Sequence, residues 1–278
     1  MPEPWSGWGM ALGHMGKYKE AADKFKRAVE LKPDYAEAWY GWGVALGNLG
    51  KHEEATEKFQ RAVDSEPDFA KAWCGWGEAL GCQGKYLESC EKLSKASELR
   101  PDDPVAWACW GLALGHLEKY AEAAEKFATA LEIDPMNSEN WNSWGLALGH
   151  LKHCEDSLDK FAMATKIDPN NTDAWCNWGT ALMFLENIPD AQKKYEQAEK
   201  ITPGSGSYNI ACINASKGNI EDCRRWLEKG RQFRTLPSCE QLMTDTDLKP
   251  VRDEWWFKNF IQEVCPEKGT TESDEAKL

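Results

Sequence analysis

Few side chains in this sequence stand at spacings that suit catalysis or metal binding. His150, His153 and Cys154 form the tightest group. Two imidazoles three residues apart at a helix end can reach one ion, and a thiolate is a soft ligand. A fourth ligand is not evident, and Cys154 occupies the slot that Tyr18 fills in the first of the repeating units described next, which should turn it inward. Gly16-Lys17, Gly50-Lys51 and Gly84-Lys85 set a glycine before a lysine, as a phosphate loop does. The following residues are Tyr18, His52 and Tyr86, where magnesium would need Ser or Thr, and a helix precedes instead of a strand. The five histidines have no partnered nucleophile or acid, and no glycine-rich nucleotide fingerprint occurs. These residues predict no catalysis, no metal and no cofactor, so any activity must come from a surface.

That surface has a period. Trp5, Trp39, Trp73, Trp107, Trp141 and Trp175 recur every 34 residues. Trp8, Trp42, Trp76, Trp110, Trp144 and Trp178 keep the same step, as do Pro33, Pro67, Pro101, Pro135, Pro169 and Pro203. A fixed step of this length denotes stacked supersecondary units. In the first unit Trp5, Trp8, Leu12 and Met15 fall three, four and three apart, and so do Tyr18, Ala21, Phe25 and Ala28. Both sets form one helical stripe. The repeating proline ends each second helix, and Asp34, Asp68 and Asp102 after it are expected to cap the next one. Acid–lysine pairs at i, i+4 also repeat, from Glu20–Lys24 to Asp190–Lys194, and are expected to pair along a solvated face. Gly9, Gly43, Gly77, Gly111, Gly145 and Gly179 suggest a large neighbour that needs space, with Ala21, Ala55, Ala123 and Ser89 as the opposing slot.

The chain resembles the tetratricopeptide-repeat family. Trp5, Gly9, Leu12, Ala21, Phe25, Ala28 and Pro33 stand at that family's offsets, and Trp8 departs from them, since a smaller aliphatic residue is usual there. The resemblance implies an all-α fold, a right-handed superhelical solenoid of antiparallel helix pairs. The expected units are 2–35, 36–69, 70–103, 104–137, 138–171 and 172–205. A degenerate seventh follows over 206–236, then a closing segment over 237–265 and a disordered tail over 266–278. The resemblance further implies a non-catalytic scaffold whose first helices line a concave groove that binds a peptide or protein segment. The groove slots vary between units while the packing slots barely change. The anchors chosen are Tyr40, Val44, Asn48, Glu78, Leu112, His116, Asn142, Leu146 and His150. Gly13, Gly47, Gly81, Gly115 and Gly149 lie between these slots, where they serve either tight helix contact or the approach of an extended peptide. The family's carboxylate clamp for acidic chaperone tails is not kept. Its slots hold Ser6, Met10, Gly41, Lys71 and Gly75, of which only Lys71 conforms.

A net charge of −13 argues against nucleic acid and against a bare anionic membrane surface as partner. Ten cysteines without a CxxC pair, and no signal peptide, read as free thiols in a reducing cytoplasm. The terminal Ala276-Lys277-Leu278 resembles a peroxisomal tag. No capping helix precedes Trp5 and Trp8, so both are expected to face water or a partner. Self-association through this first unit, with end-to-end structural assembly, is therefore one alternative function. The other is the repeat arm of a larger enzyme complex, such as a glycosyltransferase-type one.

Overall fold

A computed structural model describes residues 1–266. The tail expected beyond 266 and the Ala276-Lys277-Leu278 motif lie outside the described residues. The described residues form helices and connecting turns, without a strand. Contacts divide the described residues into two compact units, Met1–His153 and the residues from Cys154 onward. The division falls at the turn where Cys154 stands in the slot of Tyr18, Tyr86 and Tyr120.

The first unit holds α1 (Glu3–His14), α2 (Tyr18–Leu31), α3 (Ala36–Asn48), α4 (His52–Ser65), α5 (Ala70–Cys82), α6 (Tyr86–Leu99), α7 (Pro104–His116), α8 (Tyr120–Ile133) and α9 (Ser138–His150). Each helix packs on the next, and α1, α3, α5, α7 and α9 also touch in sequence. The second unit holds α10 (Cys154–Ile167), α11 (Thr172–Phe184), α12 (Ile188–Ile201), α13 (Ser207–Ser216), α14 (Ile220–Phe233), α15 (Cys239–Thr244), a 3-10 turn (Thr246–Val251) and α16 (Trp255–Val264). Its last core gathers Cys223 and Leu227 of α14, Leu242, Leu248, Val251, Trp256, Phe257 and Phe260. The architecture is an all-α solenoid of helix pairs. Among the described residues no helix is long and apolar enough to cross a membrane.

The turns explain the 34-residue step. Gly16, Gly50 and Gly84 take φ of 72°, 74° and 76°, a left-handed conformation that glycine adopts without a steric penalty. Glu118, Lys152 and Glu186 hold the same conformation at 59°, 63° and 57° despite their Cβ atoms. The caps differ from expectation by one residue. Asp103, Asn137 and Asn171 accept hydrogen bonds from the N–H groups of Val105, Asn140 and Ala174. The equivalent residues before α3 and α5 are Tyr35 and Phe69, which offer no side-chain cap. Asp34, Asp68 and Asp102 stand one position too early to reach the helix N–H groups.

The lysines likewise serve a purpose other than the one expected. Within each repeat the two tryptophans stack with centroids 5.5–5.9 Å apart. Lys24, Lys58, Lys92, Lys126 and Lys194 reach over the second ring of the pair at 4.2, 4.9, 4.7, 4.3 and 3.3 Å. Glu20, Glu54 and Glu122 meanwhile pair three residues back with Lys17, Lys51 and Lys119, so the i, i+4 bridges are replaced by cation–π contacts. The indole N–H groups of Trp39, Trp73, Trp107, Trp141 and Trp175 donate to the carbonyls of Pro33, Pro67, Pro101, Pro135 and Pro169 at 2.8–3.0 Å. One lattice residue thus fastens another.

The glycine row does admit a large neighbour, four residues beyond the alanine slot, and in the third repeat Ser89 of that slot also meets Gly77, donating its hydroxyl to the Gly77 carbonyl at 2.7 Å. A Cβ at Gly9 would meet the Phe25 ring at 3.0 Å, and one at Gly43 would meet Phe59 at 2.7 Å. Gly77 opposes Leu93, Gly111 opposes Phe127 and Gly179 opposes Tyr195. Gly41 and Gly75 close on the same Phe25 and Phe59 from the following repeat, so each ring is held between two bare backbones.

The reading of ten free thiols is corrected at the closing segment. Cys239 and Cys265 form a disulfide with Cα atoms 5.7 Å apart, tying the start of α15 to the end of α16. Their separation of 26 residues carries no motif that sequence alone would flag.

Candidate functional site

The first helices of the Met1–His153 unit present their variable slots together. Three residues of α3, namely Tyr40, Val44 and Asn48, join Glu78 of α5 in an open hollow of about 430 Å³. Lys71, Cys74 and Cys82 of α5, Asp103 and Val105 at the start of α7, and His52 of α4 also line it. Four of the nine chosen anchors therefore share one site. The other five continue along α7 and α9. Leu112 and Leu146 are 49% and 39% exposed, in the same helical slot as Val44 at 36%.

His116 and His150 are exposed, with one ring face of each covered by a tyrosine. His116 stacks on Tyr86 at 4.4 Å and His150 on Tyr120 at 4.2 Å, both nearly parallel. Tyrosine at the start of one second helix and histidine at the end of the next first helix thus form an intrachain contact. Asn142 is half-buried, and Asn48 donates its amide to the Val44 carbonyl of its own helix at 2.9 Å. Asp103, His52 and Val105 were missed from sequence. Asp103 was read neither as a helix cap nor as a wall residue, because its place depends on how α7 leans on α5.

The hollow is electrostatically one-sided. Tyr40 packs its ring against Phe59 and Phe69. Burial, then the nearby Cys74, Glu78 and Asp103, raises its hydroxyl above the usual tyrosine range. The Cys74 thiol is pushed up by burial and then by Cys109, Asp103 and Glu78, against a small opposing effect of Arg100. The Cys109 thiol is pushed up to about 12 by burial and then by Glu78. Thiols held so high stay protonated at neutral pH and are poor nucleophiles. The site offers shape, apolar area and two carboxylates, which is the equipment of recognition.

The glycines beside these slots are bare. A Cβ at Gly13, Gly47, Gly115 or Gly149 would find nothing within 4 Å, and at Gly81 only the Ser89 hydroxyl at 3.5 Å. Among the described residues, helix contact therefore does not require Gly13, Gly47, Gly115 or Gly149. Elsewhere, Cys212, Asp245 and Asp247 bring ligand-type atoms within 4.8 Å of one another. There Asp245 accepts hydrogen bonds from the Tyr208 hydroxyl and the Asp247 N–H, so it serves the closing segment as a cap.

Tetratricopeptide-repeat family profiles match residues 7–68, 41–104 and 104–137. No curated protein sequence matches the chain. Among solved structures, pilF of Pseudomonas aeruginosa is similar at a TM-score of 0.65 and 16% identity, over 82% of this chain and 97% of that one. YrrB, described as a TPR protein with an unusual peptide-binding site, is similar at 0.56 and 23%, over 65% and 93%. A thermophilic TPR protein of Thermus thermophilus is similar at 0.53 and 20%, over 66% and 100%. The 34-residue lattice, the paired helices and these matches, with family profiles over residues 7–137, agree on a tetratricopeptide-repeat protein.

Proposed function

We propose that this protein is a non-catalytic scaffold that holds an extended peptide or protein segment in the groove of its first unit. The glycine row carries this reading. A glycine inside a helix costs up to about 1 kcal/mol against alanine, and among the described residues no neighbour explains that cost at Gly13, Gly47, Gly115 and Gly149. A ligand backbone lying close to the helices would explain it. Val44, Leu112 and Leu146 then supply apolar contacts, while Tyr40, Asn48 and Glu78 supply the polar ones, with Asn142, His116 and His150 along the same face. YrrB, whose fold is shared, offers a precedent for peptide binding by such an array. The eight remaining free thiols favour a reducing compartment such as the cytoplasm, with Cys239–Cys265 as the exception.

The test is partner capture by the parent chain beside the Leu112→Asp/Leu146→Asp variant, followed by reduction of any partner to a minimal peptide. Both leucines are exposed, so circular dichroism of the variant should match the parent. Loss of the peptide from the variant alone supports the groove; equal binding by both refutes it. Self-association through α1 is the second reading, favoured by Trp8, Met10 and Met15, which are 53%, 55% and 66% exposed. Sedimentation velocity over a range of concentrations tests it, with Trp8→Ser/Met10→Ser expected to abolish any dimer.

A further inference from the structure

The groove's occupant has a readable charge. In the slot occupied by Met10, Val44, Leu112 and Leu146, the third repeat places Glu78. This acidic residue interrupts an apolar row, and it makes no ion pair or side-chain hydrogen bond among the described residues. Asp103, the last residue of the same repeat, faces the same hollow, where it caps α7 and lies 3.5 Å from Arg100. Lys71 is the one lysine or arginine in the wall, set against two carboxylates. Burial is the main reason that the Tyr40 hydroxyl and the Cys74 and Cys109 thiols are raised, and Glu78 and Asp103 push all three further in the same direction.

We propose that the peptide bound in this groove carries one Lys or Arg side chain that enters the hollow between Glu78 and Asp103, flanked by apolar residues lying over Val44 and over Leu112 and Leu146. The proposal rests on the groove reading above and specifies its ligand. Packed helices stand roughly 8–10 Å apart, and an extended chain advances roughly 3.3–3.6 Å per residue. The residues over Val44 and Leu112 therefore fall about three positions before and after the cation, and the one over Leu146 about six. This charge is opposite to that of the acidic tails a carboxylate clamp takes.

A displayed library of random peptides, selected separately on the parent, on Glu78→Lys and on Leu112→Asp/Leu146→Asp, tests it. The parent should enrich a basic residue with apolar residues about three positions away. Glu78→Lys should lose that preference and turn toward Asp or Glu. For one selected peptide, Glu78→Gln should weaken binding about two- to fivefold, since the pair is solvent-exposed. Added salt should weaken the parent more than the variant. Enrichment of apolar peptides without a basic residue, or of acidic peptides, would overturn the charge assignment. The groove itself would still stand if the double-aspartate variant rejects those peptides. Failure to enrich any peptide, or equal binding by the double variant, would remove the groove reading and this proposal together.

Discussion

Glu199 shows how a single side chain secures a junction. It is buried, and it accepts from the N–H groups of Gly204 and Gly206, from the Ser207 hydroxyl, and from Lys229 at 2.6 Å. Burial alone would raise its carboxyl, but Lys229, Ser207 and the Gly204 N–H outweigh burial and hold it below the usual glutamate range. A depressed folded pKa stabilises the fold above the unfolded value, about 4.3, and that stability is lost as pH falls through the folded pKa. Glu199→Gln should therefore cost about 1.5–3 kcal/mol at neutral pH, the scale of hydrogen bonds to a charged group. The difference should shrink below about pH 4, and urea titrations across pH would show both effects. Lys126 gives a second residue-scale contrast. It lies over Trp110 at 4.3 Å, whereas Glu122 pairs with Lys119 on the surface. Lys126→Met should cost about 0.5–2 kcal/mol, and Glu122→Gln under about 1 kcal/mol. Equal effects would restore the i, i+4 bridge as the reason for the repeated lysine.

At the scale of the helix pair, the two glycine rows separate packing from binding. Gly43→Ala would drive a Cβ to 2.7 Å from Phe59 and should cost about 1–3 kcal/mol. Gly47→Ala meets open space and should gain up to about 1 kcal/mol. If the groove takes a peptide backbone, Gly47→Ala and Gly115→Ala should bind it more weakly while melting higher, and calorimetry of both reactions checks this. The left-handed turns give another prediction. Glu118→Gly, Lys152→Gly and Glu186→Gly each relieve a Cβ at φ near 60° and should stabilise by up to about 1 kcal/mol, read as a rise in Tm. The pairing itself was legible because Trp, Ala, Phe and Pro recur at fixed offsets. The partner of each glycine was not legible, because helix rotation decides whether Ala21 or Phe25 faces Gly9. The lysines were read along one helix, whereas their rings belong to its neighbour. The stacking of His116 and His150 was not legible, because Tyr86 and Tyr120 lie thirty residues before them in sequence.

At the scale of the whole chain, stability in such an array is approximately a sum over units and their neighbours, so a local lesion should stay local. The Cys239–Cys265 disulfide offers a controlled lesion. It closes 26 residues around α15, the 3-10 turn and α16, and the 3-10 turn packs on α13. Closing a loop of that size stabilises by about 3 kcal/mol in the chain-entropy picture. Cys239→Ser/Cys265→Ser, or mild reduction, should loosen the cover that Leu248, Val251, Trp256, Phe257 and Phe260 place over Ala211 and Cys223. Hydrogen exchange should then rise across α13 to α16, where the chain is buried only by this segment and its neighbours. Exchange in α1 to α8 should stay unchanged, because those helices draw their burial from contacts within the first unit. Affinity for a groove peptide should also be unchanged, since every wall residue of the hollow lies before residue 106. Exchange rising evenly along the chain would show that the closing segment supports the whole array, and nearest-neighbour additivity would then fail for this protein.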